Sequence, residues 1–351
     1  MRIVFYIDGP WDEYGAAGRE LAEAILSLQG NQSRHELIIL STAAGANENL
    51  VRVPPIRTPF QYLSFARLRL PALLKKYRAQ LFVSVIPFPV KGIPAVHIFN
   101  DAGLLSFAAC KGLGKKMANA WVTKALLQSK RISTTKQVAD EIETHFRLST
   151  DAATLLNFPL PATGNARPAA VAIDDPYFLY EGALTQGANA ITVLKAFSLF
   201  KKRMKSEWKL VLATRSAVRD DHFFKSLGSY RFRQDVILRE NISVSESRQL
   251  QAGAFLYIQG TGPAIFDPGI LHSLTLHVPA IVDFRAPLPA AWEKAVVRTD
   301  LQDPRVLGEQ LMLLYRSENI RREMVNNMPA EPGSSITDWL ETIISLYLSA
   351  Q

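Results

Sequence analysis

Short apolar runs rich in β-branched and aromatic residues alternate along this chain with segments of helical spacing. Residues 2–8 form the first such run, and Gly9-Pro10 stops it in the manner of a strand end. Residues 20–28 carry Leu21, Ala24, Ile25 and Leu28 at intervals of three to four, with Gly30 as the stop signal. Further strands are predicted at 36–40, 81–85, 94–99 and 131–134, and helices at 73–78 and 136–146. An order of strand, helix, strand predicts βαβ units, hence a parallel sheet with helices on both faces.

The alternation lapses between Pro159 and Pro176, where five proline and glycine positions (159, 161, 164, 168 and 176) leave poor propensity for either element. It then restarts. Strands are predicted at 177–182, 208–213, 236–238, 254–258 and 280–282, and helices at 190–203, 306–315 and 337–348. Residues 271–282 read as a helix running through a small turn into a buried strand. The chain therefore divides into a Rossmann-like domain at 1–160, a linker at 161–176, a second Rossmann-like domain at 177–336 and a terminal helix at 337–351. Two doubly wound domains are expected to face each other across a cleft, and ligands of open α/β sheets bind outside the carboxyl ends of the strands. Phe178, Tyr180 and Tyr257 are assigned to the core, on strand faces of period two.

Composition narrows the class. A length of 351 residues accommodates two ordinary domains, and 48% hydrophobic with 21% charged residues is the balance of a globular protein. No run of about 18 apolar residues occurs, so no membrane-spanning helix is expected. The single cysteine, Cys110, excludes an internal disulfide and a cysteine-based metal site, and a cytoplasmic location is the default. The six histidines lack metalloprotease spacing, no metal site is predicted, and no phosphate-binding Gly-Lys-Ser/Thr loop is present. A net charge of +8 favours phosphates, nucleotides or anionic lipid as partners, and no nucleic-acid motif accompanies it.

Five passages in consistent order resemble the group-1 (family 4) glycosyltransferases of GT-B architecture. They are Gly15-Ala16-Ala17-Gly18-Arg19-Glu20, Asn100-Asp101, Ile132-Ser133-Thr134-Thr135, Tyr180-Glu181-Gly182-Ala183-Leu184, and residues 271–282 with His277 where the family has the glycine of Gly-Val-Pro. The resemblance implies two Rossmann-like domains and a retaining, metal-independent transfer of a sugar from a nucleotide-diphosphate sugar to a glycan or glycolipid hydroxyl. No cofactor beyond the sugar nucleotide is implied. It also implies that the last helix, with Trp339, returns to the N-terminal domain.

This sequence departs from the family where the chemistry is done. The arginine and lysine that hold the donor diphosphate fall on Ala183 and Ala188, and the two glutamates eight residues apart fall on Ala264 and His272. Fixed cations stabilise a leaving diphosphate, and alanine supplies none. Candidate substitutes are Arg215, placed after a strand end, and His272, able to hydrogen-bond a ribose hydroxyl. Gly182, Gly187 and Asn189 shape the turn before a helix N-terminus that could offer backbone N–H groups to phosphate. Asp101 and Asn100 are the catalytic candidates by resemblance, and Gly15 and Gly18 the acceptor-side loop. Each has a plainer alternative: a partly buried histidine for His272, a turn or helix-capping aspartate for Asp101, a surface arginine for Arg215. Taken together, the losses leave a second reading open, a catalytically degenerate relative that acts as a binding or scaffold subunit beside an active transferase.

One charge pattern stands apart. Between Asp101 and Asp140 there is no acidic residue, while residues 111–136 contain seven lysines and arginines interleaved with Met117, Trp121, Leu126 and Leu127. Such a helix either docks on the sheet by its apolar face or lies on an anionic membrane. In the second case the protein would sit peripherally at the inner membrane face.

Overall fold

The structure is a computed structural model. It describes residues 1–8, 16–28, 35–42, 48–56, 58–100, 113–149, 153–160, 168–169, 171, 173–185, 189–215, 220–262, 266–329 and 334–348. The chain divides into two compact units, Met1–Gly164 with Gly333–Gln351, and Asn165–Pro332.

In the first unit, seven strands form one parallel sheet: β1 (Arg2–Tyr6), β2 (Glu36–Ser41), β3 (Leu50–Arg52), β4 (Leu81–Ser84), β5 (Ala95–Phe99), β6 (Lys130–Ser133) and β7 (Ala153–Leu155). Their order is β3-β2-β1-β4-β5-β6-β7. The central strands are apolar on both faces because helices cover both. Helix α1 (Ala16–Ser27) follows β1; on one face Val4, Tyr6, Ile38, Leu40 and Phe82 form a core with residues of α2 (Pro59–Ser64), α3 (Leu70–Lys76), α4 (Leu113–Leu127) and α5 (Lys136–Phe146). On the other, Phe5 stacks on Trp339 with ring centroids 6.4 Å apart. Trp339 belongs to the last helix, Ile336–Leu348, which thus lies against the first sheet. A two-residue strand, β8 (Pro159–Leu160), pairs in parallel with Ser334–Ser335 just before that helix.

In the second unit, six strands form a second parallel sheet: β9 (Tyr177–Gly182), β10 (Lys209–Thr214), β11 (Val236–Glu240), β12 (Leu256–Gly260), β13 (Ala280–Asp283) and β14 (Val296–Thr299). The order β11-β10-β9-β12-β13-β14 is the doubly wound one, with its switch point between β9 and β12. Helices α6 (Ala190–Met204), α7 (Asp221–Gly228), α8 (Val244–Gly253), α9 (Pro268–Thr275), α10 (Pro304–Arg316) and α11 (Glu318–Asn326) accompany it. Phe178, Tyr180 and Leu212 pack with Phe197 and Phe200 of α6 and Leu307 and Leu311 of α10.

The helix predicted at 73–78 is longer. Thr58 and Gln61 form a reciprocal capping box with Pro59 at the first position, and the helical backbone runs from Pro59 to Lys76 through a π turn at Phe65–Arg69. The Leu70 N–H bonds the Phe65 carbonyl five residues back. That extra residue breaks the 3.6-residue period, which hides the first half of the helix from a pattern search. The short edge strands β3, β7 and β14 were also unpredicted.

His277 explains the departure from glycine in its passage. It has φ +58°, and the N–H groups of Val278 and His277 bond the carbonyls of Ser273 and Leu274. This is a Schellman ending of α9, with a histidine at the left-handed position that favours glycine.

Candidate functional site

The switch point of the second sheet is built from two glycines. Gly182 ends β9 and Gly260 ends β12, side by side in the register. A Cβ on Gly260 would lie 1.8 Å from the Glu181 carbonyl oxygen, and one on Gly182 would lie 2.5 Å from the Gly260 oxygen. The two strands approach too closely at their carboxyl ends for any side chain there.

Around this point the face of the sheet toward α8 and α9 is polar and buried. Glu181 is the one charged residue in an otherwise apolar strand, and its carboxylate receives Ser247 Oγ at 2.6 Å and Gln251 Nε2 at 3.3 Å, both from α8. Arg215, the residue after β10, brings Nη2 within 2.6 Å of Glu181 Oε1, with both side chains buried. Tyr257 on β12 places its hydroxyl 3.2 and 3.1 Å from the two oxygens of Asp267. Asp267 caps α9, accepting the Gly269 N–H at 2.8 Å. Gln259, the register neighbour of Glu181, accepts the Asp283 N–H at 2.8 Å and donates to Thr261 Oγ1 at 3.0 Å.

Burial pushes the Asp267 carboxyl up to about 6, and the nearby Glu181 charge adds to it. The Gly269 N–H, the Tyr257 hydroxyl and Arg215 oppose that rise. Burial, with Asp267 and Glu181 alongside, also pushes the Tyr257 phenol well above its ordinary value. Among the described residues one cation, Arg215, thus faces two buried carboxyl groups, Glu181 and Asp267, and the second of them stands well above the usual carboxylate value. Such a group can hold or release a proton at mildly acid pH.

Of the residues proposed from sequence, Gly182 and Arg215 come together here. His272 is buried in the second turn of α9, and Thr275 Oγ1 donates to its carbonyl. Asn189 is buried at the start of α6, its carbonyl accepting the Val193 N–H, with no side-chain cap. Ala183 is fully buried and presents nothing to a phosphate. In the first unit, Asn100 follows β5 and its carbonyl accepts Thr134 Oγ1 at 3.3 Å. Gly18 is the third residue of a helix, Ala16–Ser27, rather than part of a loop, because the spacing of Leu21, Ala24 and Ile25 continues one turn further back. Asp101, Gly15, Gly187, Ala188 and Ala264 lie outside the described residues. Sequence reasoning missed Glu181, Ser247, Gln251 and Asp267, and took Tyr257 for core alone. The available signals were a glutamate inside an apolar strand and an Asp-Pro pair opening a helix.

No family model matches this chain, and no curated protein matches it in sequence. Solved structures do match it in fold. A glycosyltransferase from Rickettsia africae is 12% identical, with 99% of this chain and 98% of that one covered and a TM-score of 0.63. Anabaena HepE in complex with UDP is 11% identical over the whole of both chains, at 0.69. A UDP-GlcNAc 2-epimerase from Neisseria meningitidis bound to UDP-GlcNAc is 11% identical, with 98% and 100% covered, at 0.64. At such identities the likeness is one of fold, and it establishes the GT-B architecture of two Rossmann-like domains.

Proposed function

We propose that this protein binds a nucleotide-diphosphate sugar at the carboxyl ends of β9, β10 and β12 and transfers the sugar to a glycan or glycolipid hydroxyl. The observation that supports this reading is the buried Glu181–Arg215 pair beside Asp267 at the switch point of the second sheet. Charged groups are rarely buried, and a cluster with a shifted carboxyl at the ligand end of a doubly wound sheet is the usual setting of a polar ligand. Solved structures of the same fold hold UDP and UDP-GlcNAc. The transfer in this reading is retaining, needs no metal and uses no cofactor besides the sugar nucleotide. In this reading Asp101 and Asn100 are the catalytic residues, Gly15 and Gly18 belong to the acceptor side, and the basic segment 111–136 adds contact with an anionic membrane at the inner face.

One observation favours a second reading. Arg215 is already paired with Glu181, and Ala183 is buried, so the described residues offer the diphosphate no uncommitted cation at the end of β9. Losing fixed cations at a developing anion slows transfer by about 10⁴ or more. In this reading the protein binds the sugar nucleotide, or a partner transferase, without performing the chemistry.

Calorimetry with UDP, GDP and ADP separates the readings, followed by donor hydrolysis. Transfer predicts nucleotide binding that weakens in Arg215→Ala and Asp267→Asn, with hydrolysis lost in both. Binding without hydrolysis in the wild type supports the second reading, and no binding at millimolar nucleotide removes the first.

A further inference from the structure

The positive charge of the chain is concentrated in one stretch. From Asn49 to Asn100 there is no aspartate or glutamate but eight lysines and arginines, and a further seven lie between Asp101 and Asp140. Asp101 is thus the single acid over some ninety residues of the first unit.

The helix from Pro59 to Lys76 shows how this charge is displayed. Tyr62, Phe65, Ala66, Leu70 and Leu74 point into the core. Phe60 and Leu68 point outward, 79% and 67% exposed, and Arg67, Arg69, Lys75 and Lys76 are exposed around them. Phe60 and Leu68 are eight residues apart. In an unbroken α-helix that spacing turns the second about 80° from the first. Leu68 lies within the π turn Phe65–Arg69, where each residue turns the chain by less than in an α-helix, so it falls back toward the side of Phe60. Helix α4 packs beside α2 and presents Lys116, Met117, Lys124 and Leu127 to solvent. None of these cations pairs with an acid among the described residues.

We infer that this face docks on an anionic lipid bilayer, with Phe60 and Leu68 entering the headgroup boundary and the surrounding cations meeting lipid phosphates. Two large apolar side chains held in water at the crest of a helix, ringed by unpaired positive charge, make the pattern of an interfacial helix. Nucleic acid would satisfy the cations but leave the protruding phenyl and isobutyl groups without a partner. The inference deepens the membrane contact proposed for 111–136 by naming Pro59–Lys76 as the inserting element, and it does not depend on nucleotide binding.

The test is sedimentation of the full chain with phosphatidylcholine vesicles, with and without phosphatidylglycerol, at low and high salt. The wild type is expected to pellet with the anionic vesicles at low salt, to stay in solution with the neutral ones, and to be released as salt rises. Phe60→Ser with Leu68→Ser should weaken partitioning about tenfold or more. Arg67→Ser and Arg69→Ser should each cost about fivefold. Leu313→Ser, at an exposed leucine of the second unit, should change nothing. A Phe60→Trp variant should be quenched by brominated acyl chains beyond the level of the native tryptophans. Wild type left in the supernatant, equal binding to neutral vesicles, or an unquenched Phe60→Trp would overturn the inference. Binding lost in Lys116→Ser/Lys124→Ser but intact in Phe60→Ser/Leu68→Ser would also overturn it, while leaving contact through 111–136 in place.

Discussion

Arg215 Nη2 lies 2.6 Å from Glu181 Oε1 across the carboxyl ends of two adjacent strands, and neither side chain is more than marginally exposed. Each charge is tolerated there because of the other. Ser247 and Gln251 satisfy the far side of the carboxylate, so the pair is also hydrogen-bonded.

Removing one partner should therefore cost more than removing both. Arg215→Ala is expected to destabilise the protein by about 3–5 kcal/mol, since it leaves a buried carboxylate uncompensated. The double variant Arg215→Met/Glu181→Leu should recover most of that loss. Urea unfolding of the two single variants and the double measures the coupling. Strictly additive losses would show that the pair does not interact as its geometry indicates.

Asp267 should confer a pH dependence of unusual sign. Its carboxyl stands at about 6 in the folded chain against 3.8 in the unfolded one, so the native state binds the extra proton between those values. Its contribution is present at low pH and is lost as pH rises from about 4 to 6, to the extent of about 3 kcal/mol. Asp267→Asn keeps the helix cap, and should flatten stability over that window and unfold at higher urea than wild type at pH 7. An unchanged slope between pH 4 and 6 would assign that dependence to other groups.

His97 acts in the opposite direction. It is wholly buried in β5, and burial drives its pKa from 6.5 to about 3, a fall partly offset by a backbone hydrogen bond at Ser84. The unfolded chain binds the proton first, so stability is full above about 6.5 and is lost as pH falls toward 3, by about 5 kcal/mol. His97→Leu removes the titrating ring. Its acid unfolding midpoint should move to lower pH, whatever its stability at pH 7, and an unmoved midpoint would exclude His97 as a source of acid lability.

His277 holds a left-handed conformation that a side chain with Cβ adopts at a cost of about 1 kcal/mol. His277→Gly should relieve it, raising the thermal midpoint by a degree or more even after the glycine's greater freedom in the unfolded chain is counted. A lower midpoint would mean that the imidazole makes contacts worth more than the backbone conformation costs.

Much of the architecture was legible because it is written in local periods. Buried parallel strands such as Tyr177–Gly182 are continuous apolar runs, and helices such as Ala190–Met204 repeat their apolar residues at three and four, so a window of a dozen residues identifies each. The helix starting at Pro59 was half hidden, since its π turn shifts the phase that such a window relies on. The glycine pair Gly182 and Gly260, 78 positions apart in the chain, meets only once β9 and β12 are neighbours.

The sequence by itself determined two parallel-sheet units, a break between them and a basic stretch over residues 49–139 of the first, because alternation, spacing and charge are properties of short segments. Only the tertiary structure decided that Glu181 meets Arg215 and Ser247, that Tyr257 bonds Asp267, and that Phe60 and Leu68 of one helix are both left exposed. The partners of a buried charge are set by which strand ends the sheet order brings together. That order is a sum of many weak, distant contacts that no short stretch of chain contains.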